Sequence, residues 1–479
     1  MTIAGVPGSS PGMAGRPRIS WGDLRERSVG VWGLGREGNA NLRKLRSMGV
    51  EPVLVDDSPP DGAEGILATA DGGLNALLKC EVVVKTPGIS RYRPEADQLR
   101  DAGVSLTGGL GLWLAEADLE RVVVVTGTKG KSTTSSVIGH LLNGLGHRAA
   151  VGGNIGNVPY DPAVSSGEGA GDEPDYWVIE VSSYQATDLP VTPPVTAVTS
   201  LHPDHLPWHG GVEQYYRDKL SACSQPGARL TVANGDSDLI RERMPLLGPT
   251  VVWVSENDEP GATWMEPLGL PGRHNRRNAL IARQVLRALG IAEAGDEAAL
   301  SAAAKGYVGL PSRLATIGTV DGVTFVDDSL STNVLPTLAA LEAFPGQRVA
   351  LIVGGQDRGI DYGELAPPIL GRQAPTHVLT LPDSGPRISA CFRENTAMEN
   401  TAIENTGREA GASASSHFAG VTDCADLDEA VAKGFEWARP DGIVLLSPAA
   451  PSFGHFKNYA ERAAAFARAM GEIRAAGQV

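Results

Sequence analysis

The stretch VVVVTGTKGKSTT, residues 122–134, contains the residue types that bind phosphate groups. Its valine run predicts a buried strand, and a glycine-rich turn leads to a lysine and a serine where a helix would begin. In such a turn backbone N–H groups cradle phosphates, Lys131 neutralises phosphate charge and Ser132 holds Mg²⁺. The common form of the loop has a glycine at the position of Val125. The stretch therefore predicts a shortened nucleotide loop, formed by Gly127, Thr128, Lys129, Gly130, Lys131, Ser132 and Thr133.

Acidic, imidazole and ammonium groups follow the next predicted strands. Glu180 ends the strand-like run of YWVIEVSSYQ, at the carboxyl end where α/β proteins build their sites. A carboxylate beside a phosphate loop is a natural Mg²⁺ ligand, and the alternative is a helix-capping acid. The stretch LHPDHLPWHGGVEQYYRDK adds His202, His205, His209 and Lys219, whose spacing matches no ordinary zinc site. We predict that part of this set binds an anion or a metal ion.

A second glycine turn, in GVWGLGREGNA, has the G-x-G-x-x-G spacing at Gly33, Gly35 and Gly38. Asp56 follows at the end of the next predicted strand. This spacing allows a tight turn, close approach of the backbone to a phosphate and a helix N-terminus that attracts anions. By itself it fits a dinucleotide oxidoreductase, a Rossmann-like domain that holds a nucleotide diphosphate, or a structural turn without a ligand.

The elements that must position these residues alternate between short Val/Ile-rich runs and Ala/Leu/Arg-rich stretches, which predicts a parallel α/β fold throughout. The predicted strands are 29–32, 52–55, 82–84, 122–125, 177–180, 197–200, 349–353, 377–381 and 442–446. We predict a disordered tail over 1–18 and three domains, 19–115, 116–312 and 313–479. The last domain ends in a helix from Tyr459. The repeat ENTAMENTAIENT, 394–406, is interpreted as a surface insertion.

Composition limits the class of protein. The chain of 479 residues has a net charge of −15, which argues against nucleic acid as the main partner. It lacks the apolar run of about 18 residues that a membrane helix needs, and its first residues do not form a signal peptide. The four cysteines are scattered, as is typical of a reducing cytoplasm. We therefore expect a cytoplasmic protein without a membrane partner.

Further motifs, in collinear order, resemble those of the Mur ligases of peptidoglycan synthesis. The short loop TGTKGKSTT is similar to that of the family, with Lys129 where asparagine is usual. The other motifs are GGNIG (152–156), EVSSYQ (180–185), DH (204–205), YRDK (216–219), GRHNRRNA (272–279), GLPSR (309–313), DDSLSTN (327–333) and SPAAPSFGHFKNY (447–459). The Rossmann-like first domain and KTPGIS (85–90) resemble the glutamate-adding branch. The resemblance implies a Rossmann-like N-terminal domain, a central P-loop ATPase-like domain with a mostly parallel sheet, and a C-terminal Rossmann-like domain.

The resemblance also implies a set of binding and catalytic residues. The UDP-sugar positions are Gly35, Arg36, Glu37, Asp56, Thr86 and Asn154. Beyond the phosphate loop, the ATP positions are Asn275, Arg313 and Asp328. The positions near the incoming amino acid are Ser329, Thr332, Arg358, Ser452 and Tyr459. Two Mg²⁺ ions are expected on Ser132, Glu180, His205 and Lys219, and the expected catalytic residues are Lys131, His205 and Lys219.

The reaction implied by the resemblance is an ATP-dependent amide ligation that uses UDP-N-acetylmuramoyl-L-alanine and glutamate. ATP phosphorylates the alanine carboxylate, and the glutamate amine then displaces phosphate from the acyl phosphate. Because the first step brings two anions together, positioning and cations must supply most of the catalysis. An ammonium group at Lys219 would repel Mg²⁺, so the resemblance implies that CO₂ converts it into a carbamate. Nearby positive charge lowers the pKa of a lysine toward the reactive neutral amine. The alternative is a salt-bridging lysine.

Three positions depart from the usual D-glutamate-adding pattern: Leu330, Arg358 and Tyr459. The first two usually carry lysine, and a planar guanidinium binds a carboxylate differently from an ammonium group. The opening VWGLGREG is more similar to a smaller branch that adds L-glutamate. We therefore favour L-glutamate, with D-glutamate as the alternative. An L-glutamyl product would require a separate epimerase as a downstream partner, and we expect the ligase to be a monomer.

Three other classes of protein remain as alternatives. One is a folylpolyglutamate synthase-like ligase, which the Rossmann-like first domain argues against. Another is an oxidoreductase that uses the turn at Gly33–Gly38. The third is a non-catalytic nucleotide sensor, which would release no ADP in the presence of substrate.

Overall fold

The computed structural model describes residues 16–60, 62–165, 173–406 and 417–476. The chain divides into two compact units. The N-terminal unit comprises the chain up to Pro267 together with Arg277–Tyr307, and the C-terminal unit comprises Leu268–Arg276 and the chain from Val308 onward. None of the described helices is long and apolar enough to cross a membrane.

The first sheet of the N-terminal unit has five strands, all paired in parallel. They are β1 (Val29–Trp32), β2 (Val53–Asp56), β3 (Ile66–Ala68), β4 (Val82–Lys85) and β5 (Ser105–Gly108), in the spatial order β3-β2-β1-β4-β5. The helices of this part are α1 (Arg36–Ser47), α2 (Leu74–Leu77), α3 (Pro94–Asp101) and α4 (Gly109–Glu116). Strands β1 and β4 are buried along their whole length, as expected for central strands with uninterrupted apolar runs. Because β1 and β4 are neighbours, the loops that follow them share one edge of the sheet.

The second sheet has six parallel strands. They are β6 (Val122–Thr126), β7 (Ala149–Gly153), β8 (Tyr176–Glu180), β9 (Val195–Val198), β10 (Leu230–Asn234) and β11 (Val251–Val254), in the order β11-β10-β9-β6-β8-β7. The helices are α5 (Lys131–Gly144), α6 (Pro162–Ser165), α7 (Ser183–Ala186), α8 (Leu206–His209), α9 (Val212–Leu220), α10 (Asp238–Arg241), α11 (Arg273–Ala288) and α12 (Glu297–Ala304). The first four residues of α11, Arg273–Arg276, belong to the C-terminal unit. Strand β6 lies between β8 and β9, so the phosphate-loop sequence emerges beside the ends of both neighbours.

The two sheets of the N-terminal unit share one hydrophobic core. This core joins Val31 of β1 and Val124 of β6 with Trp21, which precedes both strands, and with Tyr160. The rings of Trp21 and Tyr160 lie 5.0 Å apart. Because the sheets pack into a common core, side chains at their strand ends are held in fixed relative positions.

The C-terminal unit contains a six-stranded mixed sheet. Its strands are β12 (Ala315–Val320), β13 (Val323–Asp327), β14 (Val349–Gly355), β15 (Thr376–Asp383), β16 (Phe418–Asp423) and β17 (Ile443–Leu446), in the order β12-β13-β17-β14-β15-β16. Its helices are α13 (Val334–Glu342), α14 (Ala366–Leu370), α15 (Gly385–Thr406), α16 (Leu427–Ala438) and α17 (Tyr459–Ala476). In β14, Leu351 packs into one hydrophobic cluster, while Ala350 and Ile352 pack into the other. The sheet is therefore covered on both faces, as in other doubly wound α/β domains.

The α/β fold predicted from the sequence is confirmed, with one correction to the strand directions. Strands β12 and β13 pair antiparallel, although a parallel fold throughout was predicted. Asp321 and Gly322 between them have φ values of 46° and 84°, which is the backbone of a tight hairpin turn. The dipeptide Asp-Gly at this position is a local sequence signal for such a turn.

Other predicted boundaries differ in detail. All nine predicted strands are present with small shifts at their ends, and eight further strands lie in the described residues, among them β10 and β11. Residues 1–15 of the predicted tail lie outside the described residues. Arg16, also assigned to that tail, instead donates hydrogen bonds to the carbonyls of Ala186 at 2.7 Å and Leu189 at 2.9 Å. The backbone of 394–406 continues helix α15, and the side chains from 398 to 406 lie outside the described part.

Candidate active site

The loop between β6 and α5 has the backbone of an anion site. Gly127 and Gly130 have φ values of 140° and 87°, which side chains rarely adopt. A Cβ atom at Gly127 would also lie 2.2 Å from Thr199 Oγ1. Helix α5 begins at Lys131 and continues for 14 residues, so its N-terminal N–H groups end at this loop. The loop and the helix dipole together favour a phosphate.

Two of the predicted metal ligands meet at the end of β8. Ser132 Oγ donates a hydrogen bond to Glu180 Oε2 at 2.5 Å, and Asn154 Nδ2 donates to Glu180 Oε1 at 2.7 Å. Glu180 is almost fully buried. A buried carboxylate beside a hydroxyl is a donor set of hard oxygens, which suits Mg²⁺. Asn154, predicted at the UDP-sugar, has its side chain on this carboxylate.

Lys219 lies at the same loop. Its Nζ donates to Gly127 O at 3.0 Å and lies 5.0 Å from the centre of the Tyr215 ring. The side chain is fully buried, and burial lowers the pKa of Lys219 well below its ordinary value. The positive charge of Lys131 lowers that pKa further. Lys131 Nζ itself donates to Thr128 O at 3.1 Å. The structure therefore brings both predicted catalytic lysines to the phosphate loop.

His205 lies beside this loop on the segment before α8. It adopts a left-handed conformation, with φ 52°, and its side chain is half exposed. Burial of the remaining surface lowers the pKa of His205, so the neutral imidazole is favoured. The neighbouring Asp204 pairs with Lys129, with 3.6 Å between Oδ2 and Nζ. The unusual lysine of the loop thus has a carboxylate partner, although its side chain remains partly exposed.

Within the described residues, no group of three or more His, Cys, Asp or Glu side chains forms a metal site. The predicted metal set contains only two residues of these types, Glu180 and His205. Ser132 and Lys219 supply its other positions, and both lie at the phosphate loop. The hydroxyl and carboxylate oxygens present fit Mg²⁺, whereas the lysine fits only after conversion to an anionic ligand.

The first sheet supplies the second glycine turn. Asp56 Oδ2 accepts a hydrogen bond from the backbone N–H of Leu34 at 2.6 Å. Gly35 is the residue before α1, and a Cβ atom there would meet nothing within 4 Å. Thr86, 9% exposed, lies against the turn, since a Cβ atom at Gly33 would lie 2.2 Å from its hydroxyl oxygen. The acid therefore holds the turn closed from the end of the next strand.

The first residues of α1 contact the second sheet. Arg36 Nη2 donates to Gly153 O at 3.0 Å and to Asn154 O at 2.9 Å. Glu37 accepts a hydrogen bond from Gln185 Nε2 at 2.7 Å, and burial raises the pKa of Glu37 to about 7. These two residues, predicted at the UDP-sugar, thus connect the glycine turn with the EVSSYQ segment.

Predicted residues of the C-terminal unit cluster after β13. Asp328 is buried, and burial raises its pKa to about 6. It accepts hydrogen bonds from Ser331, from Ser447 Oγ at 2.7 Å and from the N–H of Leu314 at 3.1 Å. Ser329 is fully buried and donates to Asp327 Oδ1 at 2.6 Å. This acidic group is therefore fixed by its own unit.

Residues predicted at the amino acid lie on neighbouring loops of the same unit. Arg358 donates from Nε to Gln356 Oε1 at 2.8 Å, and its guanidinium lies 5.3 Å from the centre of the Phe453 ring. Ser452 is buried and lines a pocket that His455 and Arg462 also line. Tyr459, the first residue of α17, is 42% exposed.

The remaining predicted residues are more dispersed. Asn275 is buried and donates from Nδ2 to Pro271 O at 2.8 Å, while Arg313 and Thr332 are half buried. Thr133 is half buried on the first turn of α5. Asn275, Arg313, Asp328 and the amino-acid residues belong to the C-terminal unit, and the phosphate loop belongs to the N-terminal unit.

Sequence reasoning missed the residues just after β9 that support the phosphate loop. Thr199 Oγ1 donates to Lys129 O at 2.6 Å, and Ser200 Oγ accepts from the Lys129 N–H at 2.8 Å. Sequence reasoning also missed Lys85, which is fully buried and pairs with Asp188 at 2.5 Å. These contacts join residues separated by about 70 to 100 positions, so no local pattern could have revealed them.

Two models of known families match this chain. Residues 125–267 match the Mur ligase middle domain, and residues 312–450 match the family described as Mur ligase, glutamate ligase domain. A UDP-N-acetylmuramoyl-L-alanine–L-glutamate ligase of a Micromonospora species is 39% identical over 476 residues, which cover 94% of this chain and 97% of the relative. The protein of the same name from Xanthomonas euvesicatoria is 36% identical, with 95% and 97% covered.

Solved structures show the same fold at low identity. The UDP-N-acetylmuramate-alanine ligase MurC from Thermotoga maritima superposes with a TM-score of 0.52 at 17% identity, covering 93% of this chain and all of the other. MurF ligase from Thermotoga maritima, in complex with ADP, has a TM-score of 0.50 at 16% identity, with 98% and 100% covered. These likenesses support an α/β fold with mostly parallel sheets in three domains.

Proposed function

This chain belongs to the Mur ligase family, and we propose that it joins L-glutamate to UDP-N-acetylmuramoyl-L-alanine at the expense of ATP. The names of relatives that are 36% and 39% identical over nearly the whole chain support this substrate pair. The main support for the proposed chemistry is the phosphate loop, where Lys131, the Ser132–Glu180 pair and the buried Lys219 lie close together. The products would be ADP, phosphate and the new amide.

The proposed reaction has two steps. An oxygen of the alanine carboxylate attacks the γ-phosphorus of ATP, and the bond to ADP breaks, giving an acyl phosphate. The glutamate amine then attacks the acyl carbon, loses a proton, and phosphate leaves with the former carboxylate oxygen. In the first step Lys131 and the loop N–H groups hold the transferred phosphoryl group. Because burial favours the neutral imidazole of His205, it can accept a hydrogen bond or bind a metal ion at this edge.

Mg²⁺ would be held by Ser132, Glu180, His205 and Lys219. The oxygen donors at the end of β8 support this assignment, because Ser132 and Glu180 are already in contact. When bound, Mg²⁺ would neutralise phosphate charge. Asn154 orients the Glu180 carboxylate through its other oxygen.

Carbamylation of Lys219 is part of the proposal. CO₂ would form an N–C bond to the neutral amine, with loss of one proton to solvent. The burial of Lys219 and the nearby charge of Lys131 support it, since both lower the pKa of the amine. We expect Lys219→Ala to lose activity and to regain part of it with bicarbonate or small carboxylates. Failure of this rescue, together with the absence of a carbamate ¹³C signal after exchange with ¹³C-bicarbonate, would contradict it.

The proposal also specifies the enantiomer of the amino-acid substrate, L-glutamate. Relatives named as L-glutamate ligases support it. The guanidinium of Arg358, which lies 5.3 Å from the centre of the Phe453 ring, would also bind a glutamate carboxylate differently from an ammonium group. The alternative is D-glutamate. If the product is L-glutamyl, an epimerase must act downstream. We still predict that the protein is a monomer in the cytoplasm. We also predict that its functional domains are 19–115, 116–312 and 313–479.

One experiment tests the function directly. Phosphate release is measured with UDP-N-acetylmuramoyl-L-alanine, ATP and either enantiomer of glutamate. We expect release with L-glutamate, weaker release with D-glutamate, and none without the nucleotide sugar. A clear preference for D-glutamate would overturn the stereochemical assignment. Absence of release with both enantiomers would overturn the ligase assignment, and release with a folate substrate would support the distant alternative.

A further inference from the structure

A chain of four buried or half-buried polar side chains lies behind the proposed site. Tyr92 OH donates to Asp218 Oδ1 at 2.6 Å. Asp218 Oδ2 lies 2.6 Å from His209 Nδ1, and His209 Nε2 lies 3.0 Å from Ser183 Oγ. Ser183, His209 and Asp218 are each at most 5% exposed. We call these four side chains, of Tyr92, Asp218, His209 and Ser183, the relay.

The carboxylate sets the direction of the hydrogen bonds. An ionised carboxylate only accepts, so His209 Nδ1 must carry a proton and donate to Asp218. In the neutral imidazole, Nε2 then accepts a hydrogen bond from the Ser183 hydroxyl. The rings of Tyr184, Trp208 and Tyr215 surround His209 at 4.5 to 5.6 Å between centroids. Within the relay, Ser183 therefore donates to His209, and both His209 and Tyr92 donate to Asp218.

The relay connects the segments that carry the proposed ligands. Ser183 begins α7, three positions after Glu180. His209 ends α8, whose preceding residue is His205, and Asp218 precedes Lys219 in α9. Helices α7 and α8 have four residues each. Single-turn helices are not stable by themselves, so tertiary contacts must hold them in place.

The fourth member links the relay to the first sheet. Tyr92 belongs to the loop after β4, which also contains Thr86, a residue we assign to the nucleotide sugar. This loop contacts α8 twice more, because Ser90 Oγ donates to Trp208 O at 2.9 Å and Trp208 Nε1 donates to Gly88 O at 3.1 Å. The position of α8 therefore depends on the first sheet as well as on the second.

We propose that Asp218, His209 and Ser183, anchored by Tyr92, are positioning residues that fix His205 and Lys219 relative to Glu180. None of them needs to touch substrate. Partners that orient metal ligands typically contribute about 10- to 100-fold to metal affinity or activity. The inference rests on the proposed function, in which Glu180, His205 and Lys219 hold Mg²⁺ together with Ser132.

The main test uses His209→Phe. Phenylalanine keeps an aromatic ring among Tyr184, Trp208 and Tyr215 but removes both hydrogen bonds. We expect kcat to fall about 10- to 100-fold, with a change in KM for ATP of less than about 3-fold. Mn²⁺ binding in the presence of ADP, followed by electron paramagnetic resonance, should weaken about 10-fold. The binding experiment needs neither glutamate nor the nucleotide sugar.

The matched control is Thr231→Val. Thr231 Oγ1 bonds Thr196 Oγ1 at 2.9 Å, and both are buried in the same sheet, but Thr231 lies near the amino end of β10. We expect this variant to lower the melting temperature without changing Mn²⁺ affinity. Equal changes of Mn²⁺ affinity in the two variants would assign His209 a purely structural role and overturn the proposal.

A second pair of variants tests the anchor. Tyr92→Phe removes the hydroxyl that bonds Asp218, whereas Tyr160→Phe removes a buried hydroxyl with no hydrogen-bond partner. We expect Mn²⁺ binding to weaken several-fold only in Tyr92→Phe. Unchanged Mn²⁺ binding in both His209→Phe and Tyr92→Phe would overturn the proposal that the relay positions the metal ligands. Absence of phosphate release by the wild type would overturn the proposed function instead.

Discussion

The two glycine turns of the N-terminal unit follow the same local plan but have different surroundings. Each follows a buried parallel strand and leads into a helix, at Gly33–Gly38 and at Gly127–Ser132. In the first turn, Asp56 closes the backbone and Glu37 accepts a hydrogen bond from Gln185 of α7. In the second, two lysines, a hydroxyl and a buried carboxylate converge on the loop.

This difference separates two uses of one motif. The first turn is organised by close packing, and the charged side chains that begin its helix, Arg36 and Glu37, hydrogen-bond to neighbouring elements. The second turn is organised by charge, because cations and metal-binding oxygens surround the helix N-terminus. A glycine pattern therefore predicts the backbone of a phosphate site, whereas the neighbours determine whether the site can carry out phosphoryl transfer. Four substitutions, two of them paired with a control substitution, test this contrast.

The largest effect is expected for Lys131→Ala. Removal of the ammonium group from the phosphate loop should lower the rate of ADP formation by about 10³-fold or more, as for other cations that stabilise phosphoryl transfer. This corresponds to about 4 kcal/mol of transition-state stabilisation. The measurement is coupled ADP release, with the melting temperature checked for folding. A loss of less than about 10-fold would show that charge at Lys131 does not drive the step.

The next effect is a steric one in the first turn. A Cβ atom at Gly38 would lie 1.9 Å from the carbonyl oxygen of Gly33 and 2.9 Å from Thr86 Cγ2. Gly38→Ala should therefore lower the free energy of unfolding by about 1 to 3 kcal/mol. Urea unfolding measures this change.

Gly35→Ala is the control for Gly38→Ala. Gly35 has an ordinary φ of −66° and open space at its Cβ position. Its unfolding free energy should stay within about 0.5 kcal/mol of the wild type. Equal destabilisation by both substitutions would contradict the view that close packing organises this turn.

A pH-dependent effect is expected for Glu37→Gln. Burial raises the pKa of Glu37 from 4.5 to about 7, so the folded state keeps a proton that the unfolded state releases. The contribution of Glu37 to the free energy of unfolding should therefore fall as the pH rises from 4.5 to 7, by about 3 kcal/mol at most. Glutamine can still accept the hydrogen bond from Gln185 without this loss. The melting temperature of Glu37→Gln relative to wild type should thus increase from pH 5 to pH 8.

Glu51→Gln provides the comparison for Glu37→Gln. Glu51 is exposed, and its hydrogen bond to Arg46 lowers its pKa. Its replacement should give no gain in relative melting temperature over the same pH range. A flat difference for Glu37→Gln as well would indicate that this carboxylate is not desolvated.

The smallest effect is expected for Lys129→Asn. The ammonium group of Lys129 pairs with Asp204 at 3.6 Å, and the lysine side chain is 38% exposed. Such a pair contributes at most about 1 kcal/mol. Turnover and KM for ATP should stay within about 3-fold of the wild type, measured at low and high salt. A loss close to that of Lys131→Ala would mean that both lysines of the loop act on the phosphates.

Sequence reasoning predicted those parts of the molecule that depend on the pattern of neighbouring residues along the chain. The α/β class, the nine strand positions and the helix from Tyr459 follow from periodicity and from runs of apolar residues. The antiparallel pairing of β12 with β13 was missed because the turn was not identified. The relay and the Lys85–Asp188 pair were missed because their members are far apart along the chain.

The sequence by itself determined which residues are available for chemistry and the order in which they occur. It specified a shortened phosphate loop after a buried strand, an acid at the end of β8 and a lysine at position 219. Only the tertiary structure decided that Lys219 is buried against Gly127 and that Glu37 is half buried while Arg358 is exposed. The physical reason is that desolvation and charge proximity depend on which distant segments pack together, and local patterns do not encode that packing.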